Sequence, residues 1–211
     1  MTASVAGIVL AGGLSRRMGG GDKSLKLLGE RPMLQHVIER LATQVADIAI
    51  NANGDPDRFA QFGLPIIADS IEGFAGPLAG VLAGLQWAAT LNTIPTHIVT
   101  VATDTPFFPP DLVQRLSDVS EGHPERIVLS ASGGHKHPVF GLWPLALRDD
   151  LARWMAATDT YKVLAWTALH DMVVCEFPFY RFDGRQIDPF FNANTPDELA
   201  EAETLLAGFA A

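Results

Sequence analysis

The chain has 211 residues, of which 48% are hydrophobic and 18% are charged, and its formal net charge is −9 at pH 7. At about 150 residues per domain, this length predicts a single domain, residues 1–211, that needs no disulfide or structural metal to fold. The composition excludes collagen-like, disordered and coiled-coil proteins, and the acidic balance disfavours a nucleic-acid-binding protein because phosphate backbones require a broad basic surface.

Apolar strands alternate with helical segments along the whole chain. Short apolar runs predict strands at residues 5–10, 47–51, 65–68, 97–102, 126–130, 139–143 and 172–177. Apolar spacing predicts helices at residues 32–41, 57–62, 77–91, 110–119, 145–156 and 162–169. A last helix is expected after Thr195, with Pro196 in its first turn and Glu198 completing a capping box. This alternation predicts an α/β fold with a mostly parallel sheet covered on both faces, which binds ligands beyond the carboxyl ends of its strands.

The single cysteine and the absence of a long apolar segment restrict the class of protein further. Cys175 excludes an intramolecular disulfide and a Cys-x-x-Cys metal site, and its apolar surroundings indicate a buried core thiol. The first apolar run, Val5–Leu10, is too short for a membrane span and has no basic residue before it. We therefore expect a soluble, cytoplasmic protein without membrane contact.

The segment Gly12–Lys23, directly after the first strand, combines several glycines with Arg16, Arg17 and Lys23. Glycines allow successive backbone N–H groups to converge on an anionic oxygen, and the three cations add positive charge, so the segment predicts a polyphosphate site. It is not a Walker A loop, because Asp22 interrupts the Gly-Lys pair, and it lacks the Gly-x-Gly-x-x-Gly dinucleotide motif. A solvated surface loop is the alternative.

Polar residues also follow three later strands. Asp104 could hold Mg²⁺, which prefers oxygen ligands, or it could cap a turn. Asp69 could accept hydrogen bonds from a nucleotide base or ribose, and a turn cap is again the alternative. Asn51 and Asn53 are either turn residues or amide contacts to a ligand.

The segment His135-Lys136-His137 is a weak metal signal, because two histidines at this spacing have no nearby cysteine or glutamate. We interpret it as a basic loop that contacts a ligand.

Seven motifs occur in order along nearly the whole chain: Leu10–Leu25, Asn51–Asn53, Asp69-Ser70, Gly76–Leu85, Thr103–Phe107, His137–Phe140 and Phe191–Leu199. Together they resemble the molybdenum cofactor guanylyltransferases, within the nucleotidyltransferases of three-layer, Rossmann-like, glycosyltransferase-A-type fold. Molybdopterin cytidylyltransferases typically read Leu-Ala-Ala-Gly where this chain has Leu10-Ala11-Gly12-Gly13. This difference favours the guanylyltransferases.

The resemblance implies that GMP is transferred from GTP to the phosphate of molybdenum-bearing molybdopterin, with release of pyrophosphate and with Mg²⁺ as cofactor. It implies contacts to the nucleotide, the metal or the pterin from Leu10, Ala11, Gly12, Gly13, Lys23, Asn51, Asp69, Asp104, Asn192 and Asn194. The expected catalytic residues are Asp104, as the Mg²⁺ ligand, and Arg17 and Lys23, which would hold the departing phosphates.

Cations suited to an anionic pterin phosphate occur near Arg16 and Arg17, at His135–His137 and at Arg181–Arg185. Molybdopterin-handling proteins are possible partners. The two alternatives are a cytidylyltransferase that uses CTP and a non-catalytic relative that only binds GTP.

Overall fold

The structure is a computed structural model that describes residues 4–12, 23–71 and 76–209. The helices are α1 (Met33–Ala42), α2 (Pro77–Ala88), α3 (Leu112–Ser120), α4 (Arg148–Ala157), α5 (Val163–Thr167) and α6 (Pro196–Phe209). The strands are β1 (Val5–Leu10), β2 (Leu27–Leu28), β3 (Arg31–Pro32), β4 (Ile48–Asn51), β5 (Ile66–Ile67), β6 (His97–Ala102), β7 (Ile127–Ser132), β8 (His135–Pro144), β9 (Met172–Phe177), β10 (Tyr180–Phe182) and β11 (Arg185–Ile187). Short 3-10 helices occupy Lys23–Leu25, Pro56–Phe62 and Leu145–Leu147.

Within the described residues, seven strands form the central sheet, in the order β5-β4-β1-β6-β8-β7-β9. Every neighbouring pair is parallel except the two that involve β8, which is antiparallel to β6 and to β7. The mostly parallel α/β sheet predicted from the sequence is therefore confirmed. β8 runs the other way because only Gly133 and Gly134 connect it to β7, and a parallel pair would need a long crossover. Both glycines have positive φ, 54° and 80°, as tight hairpin turns require.

Helices cover both faces of the sheet. Successive residues of a strand point to opposite faces, and Val9 and Ile8 of β1 accordingly belong to different apolar clusters. Val9 packs in the cluster that contains residues of α1 and α3, whereas Ile8 packs in the cluster that contains residues of α2, α4 and α5. A third cluster joins α6 to β2 and β11. This arrangement gives the three layers that the sequence motifs imply.

Helix α2 lies close to the carboxyl ends of β1 and β4 because two of its glycines face the sheet. A Cβ atom added at Gly80 would overlap Asn51 Oδ1 and the side chain of Leu10. A Cβ atom added at Gly84 would lie 2.6 Å from Cγ1 of Ile8. The absence of side chains at these two positions therefore sets the distance between α2 and the strand ends.

The start of α6 has the predicted Thr195 cap, but Glu198 reaches back to Asn194 rather than to the N–H of Thr195 that a capping box would use. Pro196 is its first residue, and the N–H of Glu198 donates to Oγ1 of Thr195 at 3.2 Å. The Glu198 carboxylate in turn accepts the N–H of Asn194 at 2.7 Å. These bonds fix the direction in which residues 188–194 enter the helix.

Three features of the fold differ from the sequence-based expectations, and one of them is the unpredicted β2–β3 hairpin. β8 begins at His135, so the interpretation of His135–His137 as a loop is wrong: these residues form the first part of a strand that continues the β7 hairpin. The β10–β11 hairpin was also missed. Its turn is Asp183-Gly184, with φ of 45° and 72°, and an Asp-Gly pair between short alternating segments is a strong hairpin signal.

Two other expectations concern Cys175 and membranes. Cys175 is buried in β9, as predicted, and burial raises the pKa of its thiol. Over residues 4–12, 23–71 and 76–209, no helix combines the length and the apolar character that crossing a bilayer requires.

His36 of α1 makes the stability of the fold depend on pH. Its Nε2 hydrogen-bonds the carbonyl of Leu28 at 2.9 Å, and Arg31 lies 3.5 Å from Nδ1. Burial lowers the pKa of His36 below 6.5, and the Arg31 charge lowers it further, against the opposing effect of the Leu28 hydrogen bond. The neutral ring thus stabilises the fold above about pH 6.5, and this contribution is lost as the pH falls through the folded-state pKa.

We therefore expect the free energy of unfolding to fall between pH 7.5 and 5.5, with a His36 contribution of at most about 1.4 kcal/mol per pH unit. His36→Gln, which retains a donor for Leu28, should show a smaller drop. Urea denaturation at both pH values measures this. A drop of the same size in the variant would contradict the assignment.

Candidate active site

The carboxyl ends of three neighbouring strands form one edge of the sheet. Leu10, the last residue of β1, lies opposite Asn51 of β4 and Ala102 of β6 in the two parallel pairings. Ala11 continues this pairing, since its N–H donates to the carbonyl of Asn51 at 2.8 Å. Ala11 is buried, whereas Gly12 is exposed. The residues that follow β1, β4 and β6 therefore meet at this edge, as the sequence predicts.

One polar cluster at the edge consists of Asn51, Asn53 and Asp69. The two carboxylate oxygens of Asp69 accept Nδ2 of Asn51 at 2.9 Å and Nδ2 of Asn53 at 2.7 Å. The backbone N–H of Asp69 donates to Oδ1 of Asn53 at 2.9 Å, and the amide of Asn51 also donates to the carbonyl of Ile67. Asn51 is 5% exposed, so its amide is buried against its two acceptors, the Asp69 carboxylate and the Ile67 carbonyl. The two amides hold the half-buried Asp69 carboxylate in one orientation.

A second cluster joins the end of β6 to the segment before α6. The carbonyl of Asp104 accepts the N–H of Ala193 at 2.8 Å. The hydroxyl of the buried Thr105 lies 2.5 Å from Oδ1 of Asn192 and 3.3 Å from Oδ1 of Asp104. Asp104 is half-buried and Asn192 is exposed. Asn194 lies nearer the helix, where its N–H donates to Glu198 at 2.7 Å.

The donor groups of the second cluster fit Mg²⁺. Mg²⁺ usually takes one or two protein carboxylates and completes its shell with water and substrate phosphates, and Asp104 with the amide oxygen of Asn192 offers such a set. The described part of the chain has no group of three or more His, Cys, Asp or Glu side chains that could hold a metal ion. A closed zinc site of such ligands is therefore not found in these residues.

A third cluster, which sequence analysis did not assemble, consists of Ser132, His137 and Asp188. Ser132 Oγ lies 2.7 Å from Nε2 of His137 and 2.7 Å from Oδ1 of Asp188. The His137 ring stacks on Phe190, with the two centroids 4.4 Å apart. Burial lowers the pKa of His137, and the nearby Asp188 opposes that shift. Of these three residues, only His137 lies in one of the seven sequence motifs. The spacing of positions 132, 137 and 188 does not indicate that they are in contact.

Several residues of the predicted phosphate loop lie outside the described residues. Gly13, Arg16 and Arg17 are among them, and so is the side chain of Lys23. The backbone of Lys23 begins the 3-10 helix Lys23–Leu25, which leads into β2. The phosphate-binding roles of Arg17 and Lys23 stay predictions.

The chain is similar to known nucleotidyltransferases in sequence. A family model described as the MobA-like NTP transferase domain matches residues 7–172. A relative from Mesorhizobium japonicum, named molybdenum cofactor guanylyltransferase, is 50% identical over 98% of each chain. A relative of the same name from Bradyrhizobium is 48% identical over 98% of this chain and 95% of its own.

The fold is similar to that of the crystal structure of molybdopterin-guanine dinucleotide biosynthesis protein A from Archaeoglobus fulgidus. The TM-score is 0.73 at 22% identity, over 96% of this chain and 98% of that chain.

Proposed function

Since the chain belongs to the family of MobA-like nucleotidyltransferases, we propose that it transfers GMP from GTP to the phosphate of molybdenum-bearing molybdopterin, releasing pyrophosphate. The observation that carries this proposal is the similarity over almost the full chain to relatives named molybdenum cofactor guanylyltransferase. The clusters around Asp69 and Asp104 support it, because they lie on the two sides of β1 at the ligand-binding edge of the sheet.

The cluster of Asn51, Asn53 and Asp69 is proposed to bind the nucleoside part of GTP. A carboxylate offers about four acceptor positions, so Asp69 can accept further hydrogen bonds while it holds both amides. Guanine presents N–H donors on the edge that distinguishes it from cytosine. Leu10, Ala11 and Gly12 would lie beside the nucleotide, because β1 ends between the two clusters. Gly13, which lies outside the described residues, is proposed to contact the nucleotide with them.

Asp104 and Asn192 are proposed to hold Mg²⁺, with Asn194 close by at the start of α6. The metal supplies a positive charge that neutralises the triphosphate when it is bound. Thr105 orients Asn192, and the Asp104 carbonyl anchors the adjacent segment through Ala193. The ligand pair is thus held by the fold before substrate arrives.

The remaining chemistry is positioning and charge stabilisation. The acceptor is a phosphate that is already anionic at neutral pH, so no side chain has to remove a proton from it. The loop with Arg17 and Lys23 is proposed to bind the β- and γ-phosphates, whose negative charge increases as pyrophosphate departs. The rest of the rate acceleration comes from correct alignment of the acceptor phosphate with the α-phosphorus of GTP.

We also propose that residues 1–211 form one nucleotidyltransferase domain that acts in the cytoplasm. Its substrates are GTP and molybdenum-bearing molybdopterin, and molybdopterin-handling proteins are its proposed partners.

The test of this function is pyrophosphate release by the purified protein with Mg²⁺ and molybdenum-loaded molybdopterin, with GTP and CTP compared. Release that requires the pterin and strongly prefers GTP is the expected result. A preference for CTP would make the protein a cytidylyltransferase. GTP binding without release from either nucleotide would indicate a non-catalytic relative.

Asp69→Ala is expected to reduce the preference for GTP over CTP by about tenfold, the effect of losing one hydrogen bond to a charged acceptor. The ratio of kcat/KM values for the two nucleotides measures this. Asp57→Ala, which removes an exposed carboxylate from the nearby 3-10 helix, is the control and should leave the ratio unchanged. An unchanged ratio in Asp69→Ala would remove Asp69 from base selection.

A further inference from the structure

The hydroxyl of Ser132 is completely buried and bridges two ionisable side chains. Its exposed fraction is 0%, and its Oγ lies 2.7 Å from both His137 Nε2 and Asp188 Oδ1. Oδ1 of Asp188 also accepts the N–H of Phe190 at 2.8 Å, which fixes the carboxylate. The contact with the Phe190 ring fixes the plane of the imidazole. Two separate parts of the chain, the end of β7 and the segment that contains Asp188 and Phe190, thus hold one histidine ring.

This geometry determines where the His137 proton lies. A serine hydroxyl has one proton, and an ionised carboxylate can only accept, so Ser132 donates to Asp188. Ser132 then has only lone pairs to offer His137, and Nε2 must carry a proton and donate. Burial lowers the pKa of His137, which favours the neutral ring. Nδ1 is then an acceptor, and no hydrogen bond reaches it from the residues that the structure describes.

The cluster lies at the same edge of the sheet as Asp104. β8 is antiparallel to β6, so its first residues lie beside the carboxyl end of β6, and their ladder pairs Thr100 with Gly141. The segment 188–193 connects the two places directly: Asp188 contacts Ser132, and Ala193 contacts Asp104. Asp188 and Ala193 are five residues apart, which is at most about 18 Å of chain, so the cluster of Ser132, His137 and Asp188 lies along the same segment of the edge as Asp104. β1 and β6 lie between β8 and β4, so His137 is separated from the cluster of Asn51, Asn53 and Asp69.

We propose that His137 binds the acceptor substrate through Nδ1, which accepts an N–H of the pterin ring, and that Ser132 and Asp188 are positioning residues that fix its tautomer. The proposal rests on the proposed function, which supplies the pterin as acceptor. The ring N–H is the matching group, because the pterin's phosphate has only oxygen atoms to offer an acceptor nitrogen. Asp188 and Ser132 keep the substrate-facing atom of His137 an acceptor, although they do not contact the substrate.

The direct test is ¹⁵N NMR of the imidazole in the full chain. The free protein is expected to show His137 with Nε2 protonated and Nδ1 unprotonated. Molybdopterin should shift the Nδ1 resonance, whereas GTP with Mg²⁺ should not. Ser132→Ala is expected to yield a mixture of tautomers. A protonated Nδ1 in the free wild-type protein, or no Nδ1 shift with molybdopterin, would overturn the proposal.

Kinetics supply a second readout. His137→Gln is expected to raise KM for molybdopterin about tenfold and to change KM for GTP less than twofold. The matched control is His123→Gln, which changes an exposed histidine that precedes β7. Asp188→Asn can still accept Ser132 and Phe190, so it should retain the tautomer and most of the affinity, whereas Asp188→Ala should lose both. This pair provides the same comparison if Ser132→Ala does not fold.

The outcomes separate this proposal from the proposed function. Wild-type transfer with an unchanged molybdopterin KM in His137→Gln would overturn the role of His137 alone. Absence of wild-type transfer, together with an Nδ1 shift on addition of molybdopterin, would overturn the proposed reaction and leave the pterin contact in place.

Discussion

Asp104→Asn is expected to lower the rate of guanylyl transfer by about 10²-fold at saturating GTP and molybdopterin, as loss of an electrostatic stabiliser does. The substitution removes the negative charge that we propose holds Mg²⁺ and keeps the size of the side chain. Ala193 donates to the backbone carbonyl of Asp104, so the anchor of the segment before α6 does not depend on the carboxylate. The fold should therefore be retained, and the loss should appear in turnover.

Turnover of Asp104→Asn should be measured over a range of Mg²⁺ concentrations, with the melting temperature as a check of folding. Partial recovery at high Mg²⁺ is expected, because a weakened site fills when the metal concentration rises. Asp111→Asn, which changes an exposed carboxylate at the start of α3, is the matched control and should behave like the wild type. Turnover within threefold of the wild type at every Mg²⁺ concentration, with an unchanged Mg²⁺ dependence, would remove Asp104 from the metal site.

The elements that could be predicted from the sequence are those specified by local patterns. β1, β6 and β9 have the predicted bounds because each is a short, predominantly apolar run that is recognisable without its neighbours. The start of α6 was predicted because its capping groups are close together in the sequence. The direction of β8 depends on a two-glycine turn, and it could have been predicted had Gly133-Gly134 been interpreted as a hairpin.

The candidate site was predictable only in part. Parallel pairing brings the residues after β1, β4 and β6 together, so the edge that contains Asp69 and Asp104 follows from the strand pattern alone. The bridge between Ser132 and Asp188 joins positions 56 residues apart and depends on how the segment before α6 crosses the sheet. Such a contact arises from tertiary packing, so no local sequence pattern predicts it.

Gly80→Ala is expected to lower kcat/KM for GTP by about 10²-fold, although Gly80 bears no functional group. The new Cβ would overlap Oδ1 of Asn51 and the side chain of Leu10, so α2 or these residues must move. Asn51 holds Asp69 through its amide, and a shift of Asn51 therefore displaces the carboxylate proposed to bind the nucleotide. A displacement of about 1 Å at a binding group can cost about 10²-fold in rate.

Gly84→Ala separates this effect from general overpacking of α2. Its Cβ would lie 2.6 Å from Cγ1 of Ile8, in the apolar core below the strand ends, and should cost about 1–3 kcal/mol of stability. Both variants should therefore melt at a lower temperature than the wild type, whereas only Gly80→Ala should lose GTP affinity beyond threefold. Equal losses of kcat/KM in the two variants would show that Gly80 acts through stability alone. A selective loss in Gly80→Ala would show that the close approach of α2 to Asn51 positions the nucleotide site.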